Sequence, residues 1–226
     1  MAVNVIMLGP PGAGKGTQAE RVARARGIPR ISTGDILREA VHAGTAMGGN
    51  VSAVMDRGEL VGDDVMIGIV TERLGRPDAA SGFVLDGFPR TVEQAAALDR
   101  LMDGRDPLIV LDIVVPESEL ARRLGMRMIC EDCGVNADGH ETAPGRCSRC
   151  GGRLMQRADD NNAIVLERFK IYQRATKPLV DFYHGRPTFR SIDGAQTADC
   201  VAADLAAAIE AVGNGRGNVA SGGNAR

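Results

Sequence analysis

Short apolar runs alternate along the chain with stretches that are rich in helix-forming residues. The runs with the composition of buried strands fall at residues 4–8, 28–31, 83–86, 108–115 and 188–192. Strands that alternate with helices form a parallel sheet that is covered on both faces. The pattern therefore predicts an α/β fold of three layers, with a parallel sheet in the middle.

Glycine, proline and small polar residues predict where the helices begin and end. The helix after the first apolar run is expected to end near Arg26, because Gly27 follows. Ser32-Thr33-Gly34-Asp35 offers polar caps for the next helix. A small helical segment is expected at 41–61, interrupted by Gly44, Gly48, Gly49 and Gly58. Further helices are predicted at 65–74, 91–103, 116–126, 163–183 and 198–212, and a disordered, Gly- and Asn-rich tail at 213–226.

The composition is that of a soluble globular protein. Of 226 residues, 44% are hydrophobic and 25% charged, with a net charge of -2, so no basic field favours nucleic acid or a membrane surface. No run approaches the roughly 20 apolar residues of a membrane span, and no basic region precedes the first apolar run as in a signal peptide. We therefore expect a cytoplasmic protein whose five cysteines are thiols or metal ligands.

The chain is organised around the stretch Gly-Pro-Pro-Gly-Ala-Gly-Lys-Gly-Thr at residues 9–17, between an apolar run and a helix. In this context glycines let backbone N–H groups face one concave space, and the helix N-terminus adds partial positive charge. Lys15 is then placed to reach nucleotide phosphates, and the Thr17 hydroxyl to meet Mg²⁺. Gly16 departs from the general motif, in which Ser or Thr follows the lysine directly. A glycine-rich turn without a ligand is the alternative, and it is disfavoured because lysine, threonine and both flanking elements occur together.

An acidic residue and several arginines are further candidates for a phosphate site. Asp86 ends an apolar run and is followed by Gly-Phe-Pro-Arg at 87–90. A carboxylate there can hold Mg²⁺ or its waters, although an isolated Asp after a strand is commonly a turn residue. The candidate arginines are Arg38, Arg90, Arg123, Arg127, Arg157 and Arg168. One arginine alone is commonly a solvated surface residue, but phosphoryl transfer uses several because guanidinium groups make two-point contacts with phosphate oxygens.

Two Cys-x-x-Cys-Gly motifs in a segment poor in aliphatic residues predict a metal site. Their cysteines are Cys130, Cys133, Cys147 and Cys150. Four thiolates suit a tetrahedral, structural Zn²⁺. A redox role is disfavoured because the motif occurs twice in a polar segment. We interpret His140, between the pairs, as a loop residue, and we expect Cys200 to be a small buried apolar residue.

In combination these motifs resemble the adenylate kinase family, and in particular its bacterial members with a zinc-binding lid. The resemblance extends from Val3 to about Ile209 and rests on residues 9–18, 31–35, 86–91 and 157–161. In this family a glycine follows the lysine, as Gly16 does here. The resemblance implies a P-loop core with five parallel strands at 1–31, 62–124 and 163–212, a small helical AMP-binding domain at 32–61 and a zinc-bearing lid at 125–162. It also implies ATP, AMP and ADP as ligands and Mg²⁺ bound with ATP.

The resemblance further implies roles for individual residues. ATP would be bound by Gly12, Ala13, Gly14, Lys15, Gly16, Thr17 and Arg127, with Gln196 beside its base. AMP would be bound by Thr33, Arg38, Glu59, Leu60, Val61, Gly87, Phe88, Pro89, Arg90, Gln94, Arg157 and Arg168. Gln94 would contact the edge of the adenine. The catalytic residues would be Lys15, Asp86, Arg90, Arg123, Arg127, Arg157 and Arg168.

The lid segment departs from the family pattern in two places. Family members carry two adjacent arginines before the first lid cysteine, and this chain has Arg127-Met128. Counting back from Cys130 makes Arg127 the catalytic arginine, whereas counting from Gly125 would place Met126 there. The lid position that is aromatic in the family is Asn136-Ala137 here, so the resemblance implies no adenine stacking from the lid.

The leading hypothesis is a monomeric enzyme that transfers a phosphoryl group reversibly from MgATP to AMP, giving two ADP. A kinase for another nucleoside monophosphate is the nearest alternative, since the sequence does not fix the base, although Thr33 and Gln94 favour AMP. A zinc-ribbon module that binds nucleic acid is a second alternative. The net charge and the lack of aromatic residues around the cysteine motifs weigh against it.

Overall fold

The computed structural model describes residues 2–133, 137, 145–156 and 162–214, with the backbone alone for Asn162, Ala163 and Asn214. The strands within these residues are β1 (Val3–Leu8), β2 (Arg30–Ser32), β3 (Gly82–Asp86), β4 (Leu108–Val114), β5 (Met128–Cys130), β6 (Leu154–Gln156) and β7 (Phe189–Asp193). The helices are α1 (Lys15–Arg26), α2 (Thr33–His42), α3 (Ala46–Asp56), α4 (Asp63–Leu74), α5 (Val92–Leu101), α6 (Glu117–Gly125), α7 (Asn162–Ile171), α8 (Pro178–His184) and α9 (Ala198–Asn214). A 3₁₀ turn, Pro77–Ala79, precedes β3.

Strand β1 lies at the centre of a five-stranded parallel sheet with the order β2-β3-β1-β4-β7. Met7 is aligned with Asp86 on β3, and Leu8 with Asp112 on β4. The ends of these three strands therefore meet at one edge of the sheet. The strand order also reverses at β1, which is where open α/β sheets bind ligands. The predicted parallel α/β fold is confirmed.

The two faces of the sheet are covered by separate apolar clusters. Ile6 and Leu8 belong to the cluster on the face of α4, α5 and α8, whereas Val5 and Met7 belong to the cluster on the face of α1 and α9. This division follows from the alternation of side chains along a strand. Because both clusters consist of hydrophobic side chains, burial on both faces holds β1 in place and gives the predicted three layers.

Two of the predicted helix boundaries have the expected capping groups. Helix α1 ends at Arg26, and Gly27 follows with φ of 64°. Ser32 caps α2 by accepting a hydrogen bond from the backbone N–H of Asp35 at 3.2 Å. The end of α1 and the start of α2 were therefore predicted correctly from Gly27 and Ser32.

The predicted interruption at Gly48 and Gly49 is wrong, because both residues lie inside α3. A Cβ atom on Gly48 would lie 2.1 Å from the carbonyl oxygen of Ala40. Gly48 therefore lets α3 pack closely against α2, and that tight contact offsets its weak helix propensity. Gly44, with φ of 63°, does separate the two helices as predicted.

The segment expected to form one α-helix at 163–183 is helical over nearly that range, but it is not α-helical throughout. Residues Tyr172–Thr176, between α7 and α8, form a π-helical turn. The backbone N–H of Lys177 donates to the carbonyl oxygen of Tyr172 at 2.8 Å, five residues earlier. A π turn holds one residue more than an α turn and is frequent at functional sites.

The C-terminal helix corrects one expectation about a cysteine. The buried side of α9 carries Val201, Leu205 and Ile209, whereas Cys200 is exposed. The expectation that Cys200 is buried is therefore wrong, because its place in the first turn faces away from the apolar side. Helix α9 extends to Asn214, and the remainder of the predicted tail lies outside the described residues.

The segment after α6 forms a small separate sheet. Strands β5 and β6 pair antiparallel, with Met128 aligned to Gln156 and Cys130 to Leu154. Their cluster is small and consists largely of cysteines: Cys130, Cys147 and Leu154, with Met128, Cys133 and Ala137 packed against it. Among the described helices, none is both long and apolar enough to cross a membrane.

Candidate active site

The loop between β1 and α1 passes tightly over the end of β4. Gly9 has φ of 134°, and a Cβ atom there would lie 2.6 Å from the carbonyl oxygen of Ile113. Gly14, with φ of 91°, occupies the N-cap position of α1, so no side chain covers the first N–H groups of the helix. Uncovered N–H groups at a helix N-terminus form an anion-binding site. The local structure predicted for residues 9–17 is therefore present.

The ammonium group of Lys15 is folded back onto this loop. Its Nζ donates to the carbonyl oxygens of Gly9 at 2.7 Å and Pro10 at 2.9 Å. Burial is the largest influence and lowers the pKa of Lys15 from 10.5 to about 7, although the negative charge of Asp86 opposes the shift. The positive charges of Arg90, Arg168 and Arg127 lower this pKa further. A polyanion at the loop would reverse this shift by favouring the charged form of Lys15.

Asp86, at the end of β3, is held by an arginine that the sequence analysis did not identify. Nη2 of Arg30 lies 3.0 Å from Oδ2 of Asp86 and 2.9 Å from Oδ2 of Asp35. Burial favours the neutral form of Arg30, but the carboxylates of Asp86 and Asp35 outweigh it and raise the pKa of Arg30. Arg30 therefore fixes the Asp86 carboxylate and links it to the first turn of α2.

Two open clefts of about 580 and 540 Å³ lie at this edge of the sheet. The first, called here the acceptor cleft, is lined by Thr33, Gly34, Leu37, Arg38, Met55, Gly58, Glu59, Leu60, Val61, Met66, Gly87, Arg90, Gln94 and Arg168. It brings together most residues expected to bind AMP. Phe88 is fully buried in the core, and Pro89 lines the other cleft. Phe88 lines neither of the two clefts.

The second cleft, called here the loop cleft, contains Lys15. Its lining is Met7, Leu8, Gly9, Pro11, Lys15, Gly58, Leu60, Gly87, Pro89, Arg90, Arg168, Ile171, Tyr172 and Thr176. Arg90 and Arg168 line both clefts, so the two spaces meet at these arginines. Cationic groups at such a junction can neutralise two phosphate chains that approach from opposite sides.

Three further residues with predicted roles, Arg123, Arg127 and Gln196, line neither cleft. Arg123 donates to Glu119 at 2.8 Å and to the carbonyl oxygen of Gly194 at 2.9 Å. Gln196 is half-buried, and its Nε2 donates to Asp204 at 2.8 Å. Arg127 lines neither cleft, but its charge acts on Lys15. Arg157 and His140 lie outside the described residues.

Met126 and Arg127 are the two residues that the sequence offers for the catalytic position before the first lid cysteine. Met126, which counting from Gly125 would place at the catalytic position, follows α6 and is 68% exposed. Arg127 is half-buried and contributes positive charge at Lys15. These observations favour Arg127, and its catalytic role stays a prediction.

The four cysteines of the paired motifs converge on one point. Their sulfur atoms all lie within 4.8 Å of one another, with 3.4 Å between Cys130 and Cys150 and 3.7 Å between Cys133 and Cys147. A tetrahedral Zn²⁺ with Zn–S bonds of about 2.3 Å places its sulfurs roughly 3.8 Å apart. The cluster is therefore compatible with zinc.

Three residues with clear contacts to the site were missed in the sequence. Arg30 was overlooked because its role depends on the alignment of Ser32 with Asp86 between β2 and β3. Asp63 accepts a hydrogen bond from Nε2 of Gln94 at 2.7 Å, and Thr176 donates to the carbonyl oxygen of Arg90 at 3.0 Å. An acidic residue in a first helical turn is the one signal that would have drawn attention to Asp63.

The glycine loop, the central β1 strand and the two joined clefts define a P-loop phosphotransferase of the nucleoside monophosphate kinase type. A family model described as adenylate kinase matches residues 7–187. With that match, the chain belongs to the adenylate kinase family.

Curated relatives agree with this assignment over nearly their whole length. The chain is 46% identical to an adenylate kinase of Archaeoglobus fulgidus, with 93% of this chain and 99% of that protein covered. It is 47% identical to an adenylate kinase of Geobacter sp. strain M21, with 92% and 100% covered. For an adenylate kinase of Rhizobium etli the identity is 43%, with 92% and 99% covered.

The pKa of Lys15 predicts that nucleotide binding takes up a proton. At about pH 8.5 a group with a pKa of about 7 is largely neutral, and bound triphosphate would return it to the ammonium form. MgATP should therefore bind more weakly as the pH rises above about 7, with uptake of up to about one proton per site at pH 8.5 and almost none near pH 6. Titration calorimetry in buffers of different ionisation enthalpy measures this uptake.

Lys15→Met provides the comparison for this prediction. The variant should lose the pH-dependent part of the uptake and at least about a hundredfold in kcat, because it lacks the charge that stabilises the transferred group. Equal proton uptake by the variant and the parent protein would assign the titration to another group.

Proposed function

We propose that the protein transfers the γ-phosphoryl group of MgATP to AMP, giving two ADP, and catalyses the reverse reaction. The observation that supports this proposal is the junction of the two clefts. Lys15 lines one, Thr33 and Gln94 line the other, and Arg90 and Arg168 line both. Direct transfer between two nucleotides requires such a junction, because the phosphates must meet end to end.

On the donor side, Gly12, Ala13, Gly14, Lys15, Gly16 and Thr17 bind the phosphates of ATP. The uncovered N-terminus of α1 supplies N–H groups, and Lys15 exchanges its carbonyl partners for phosphate oxygens. Gln196 lies beside the adenine of ATP. It would have to give up its hydrogen bond to Asp204 to contact the base directly.

The oxygen groups of Thr17 and Asp86 fit Mg²⁺, which prefers hard oxygen ligands and retains several waters. Asp86 is already engaged by Arg30, so it is suited to hold the waters of the ion and not the ion itself. When bound, Mg²⁺ neutralises charge on the β- and γ-phosphates.

On the acceptor side, the phosphate and the base of AMP are held by different groups. Arg38 and Arg90 bind the phosphate, while Thr33 and Gln94 contact the adenine. Glu59, Leu60, Val61 and Gly87 complete the walls of the acceptor cleft. Pro89 lines the adjoining loop cleft, and Phe88, which precedes it in the chain, is buried. The phosphate of AMP then lies at the junction with the loop cleft.

The arginines stabilise the phosphoryl group while it is transferred. Arg90 and Arg168 act from the junction, and Arg123, Arg127 and Arg157 act from α6 and the lid. Negative charge is spread over the group in the transition state, so fixed guanidinium groups can supply most of the catalysis without a covalent enzyme intermediate. The phosphate oxygen of AMP attacks in line as the bond to ADP breaks.

The chain is divided into three domains in this proposal. Residues 1–31, 62–124 and 163–212 form the core, 32–61 bind AMP, and 125–162 form the lid. Closure of the lid over the loop cleft would exclude water, which would otherwise accept the phosphoryl group. We also propose that the enzyme acts as a monomer in the cytoplasm.

Zinc bound by Cys130, Cys133, Cys147 and Cys150 would be structural. Four thiolates complete a tetrahedron and leave no position for an activated water. Within the described part of the lid, the apolar cluster around them is too small to fold the segment by burial alone. Metal binding would therefore supply the folding free energy of the lid.

A coupled assay of ADP formation tests the proposed function. The purified protein with MgATP should turn over AMP, and it should use GMP, CMP and UMP at least about a hundredfold less well in kcat/KM. A higher kcat/KM for another monophosphate would establish the alternative, a kinase for that nucleotide. Binding of oligonucleotides without turnover of any monophosphate would contradict phosphoryl transfer altogether.

Arg90→Ala should damage the use of AMP more than the binding of ATP. Arg90 directly follows Gly87, Phe88 and Pro89, which we propose to bind AMP, and its Nε donates to the carbonyl oxygen of Gly87 at 2.9 Å. We expect kcat/KM for AMP to fall about a hundredfold or more and Kd for MgATP to change less than about threefold. Arg100→Ala, at an exposed position on α5, is the matched control and should change neither value. An equal loss of ATP and AMP binding would place Arg90 with the donor.

The lid prediction concerns metal content and local stability. The protein should contain about one Zn²⁺ per chain. Cys147→Ser combined with Cys150→Ser should remove it and make residues 125–162 sensitive to protease, while the core keeps its fold. Cys200→Ser, which changes a cysteine outside the cluster, is the control. Full activity loss in a metal-free variant whose lid resists protease would show that the metal has a chemical role.

A further inference from the structure

The side-chain amide of Gln94 is held at both of its polar atoms. Oε1 accepts from the backbone N–H of Arg90 at 2.7 Å, and Nε2 donates to Oδ1 of Asp63 at 2.7 Å. Gln94 is 2% exposed, and it lines the acceptor cleft. Each polar atom of the amide therefore has one fixed partner in the protein and one bonding position left.

Asp63 is itself fixed in place, although it does not line the acceptor cleft. It lies in the first turn of α4, where the helix N-terminus favours a negative charge. Its second oxygen, Oδ2, accepts from the hydroxyl of Thr91 at 2.8 Å. The same hydroxyl accepts from the backbone N–H of Gln94 at 3.2 Å. Asp63, Thr91 and Gln94 thus form a closed ring of hydrogen bonds between α4 and α5.

These partners allow only one orientation of the amide. A carboxylate accepts hydrogen bonds and donates none, whereas a backbone N–H only donates. Turning the amide by half a rotation would place Nε2 against the N–H of Arg90 and Oε1 against the carboxylate of Asp63. Both hydrogen bonds would then become repulsive contacts in a buried position, which is costly.

The fixed orientation matters because purine bases differ in the groups they present to an amide. Adenine offers an amino donor beside a ring-nitrogen acceptor, which complements an amide oxygen beside an amide N–H. Hypoxanthine carries a carbonyl oxygen where adenine has its amino group, and its neighbouring ring nitrogen is protonated. Hypoxanthine would therefore pair with the opposite orientation of the amide, which the ring of hydrogen bonds excludes.

We propose that Asp63 is a positioning residue that sets the preference for adenine over hypoxanthine in the acceptor cleft. It acts through Gln94 and not by contact with the base. The inference rests on the proposed function, in which this cleft binds a purine nucleoside monophosphate.

The test compares AMP with inosine 5′-monophosphate (IMP) as phosphoryl acceptors, using the whole protein. Asp63→Leu removes the acceptor and should lower the ratio of kcat/KM for AMP to that for IMP about tenfold, with KM for MgATP unchanged. Asp63→Asn should give an intermediate ratio, because its amide can still accept from Gln94 but can also donate to a turned amide. Asp64→Asn removes a charge from an exposed residue in the same turn and should leave the ratio unchanged.

If Asp63 had a purely structural role, the comparison of AMP with IMP would give a different result. In that case kcat/KM would fall by the same factor for AMP and IMP, the ratio would stay at the parent value, and the proposal would be wrong. If Asp63→Leu does not fold, Asp63→Asn decides the question in a double-mutant cycle with Gln94→Ala. The proposal requires that Asp63→Asn changes the ratio in the parent protein and not in the Gln94→Ala background.

Failure of the proposed function can be separated from failure of this inference. If the parent protein does not phosphorylate AMP, the proposed function is wrong and the inference falls with it. If the parent protein prefers AMP and all Asp63 variants keep the same preference, only the role of Asp63 is wrong.

Discussion

The parallel pairing of β1 with β3 on one side and β4 on the other is the constraint on which the site depends. Because the three strands run in the same direction, their ends meet at one edge, where Met7 is level with Asp86 and Leu8 with Asp112. The glycine loop must then turn above β4 with no room for a side chain at Gly9. Without this register, Lys15 and Asp86 would not face the same space.

Charge is arranged at this edge so that the site is ready for an anion before one binds. Lys15 donates to two carbonyl oxygens, and Asp86 is paired with Arg30. Arg90 and Arg168 stand between the two clefts. A preorganised group of this kind avoids part of the reorganisation that phosphate would otherwise require.

Local patterns in the sequence predicted the fold, the phosphate loop and the cysteine cluster, because each depends on residues that are close in the chain. The sequence did not reveal the contacts of Arg30 and Asp63, which exist only through the register of β2 with β3 and the packing of α4 against α5. Gly48 was misinterpreted for the same reason, since its closest neighbour, Ala40, belongs to another helix. Expectations for Arg157 concern residues that the structure does not describe.

The π turn at Tyr172–Thr176 restricts how the gene for this protein can change. Its extra residue places Thr176 against the carbonyl oxygen of Arg90 and keeps Leu179 and Tyr183 fully buried beyond it. Deleting one codon here would restore an ordinary α-helix and rotate all that follows by about 100°. The contacts of Thr176, Leu179 and Tyr183 therefore depend on the number of residues between α7 and α8.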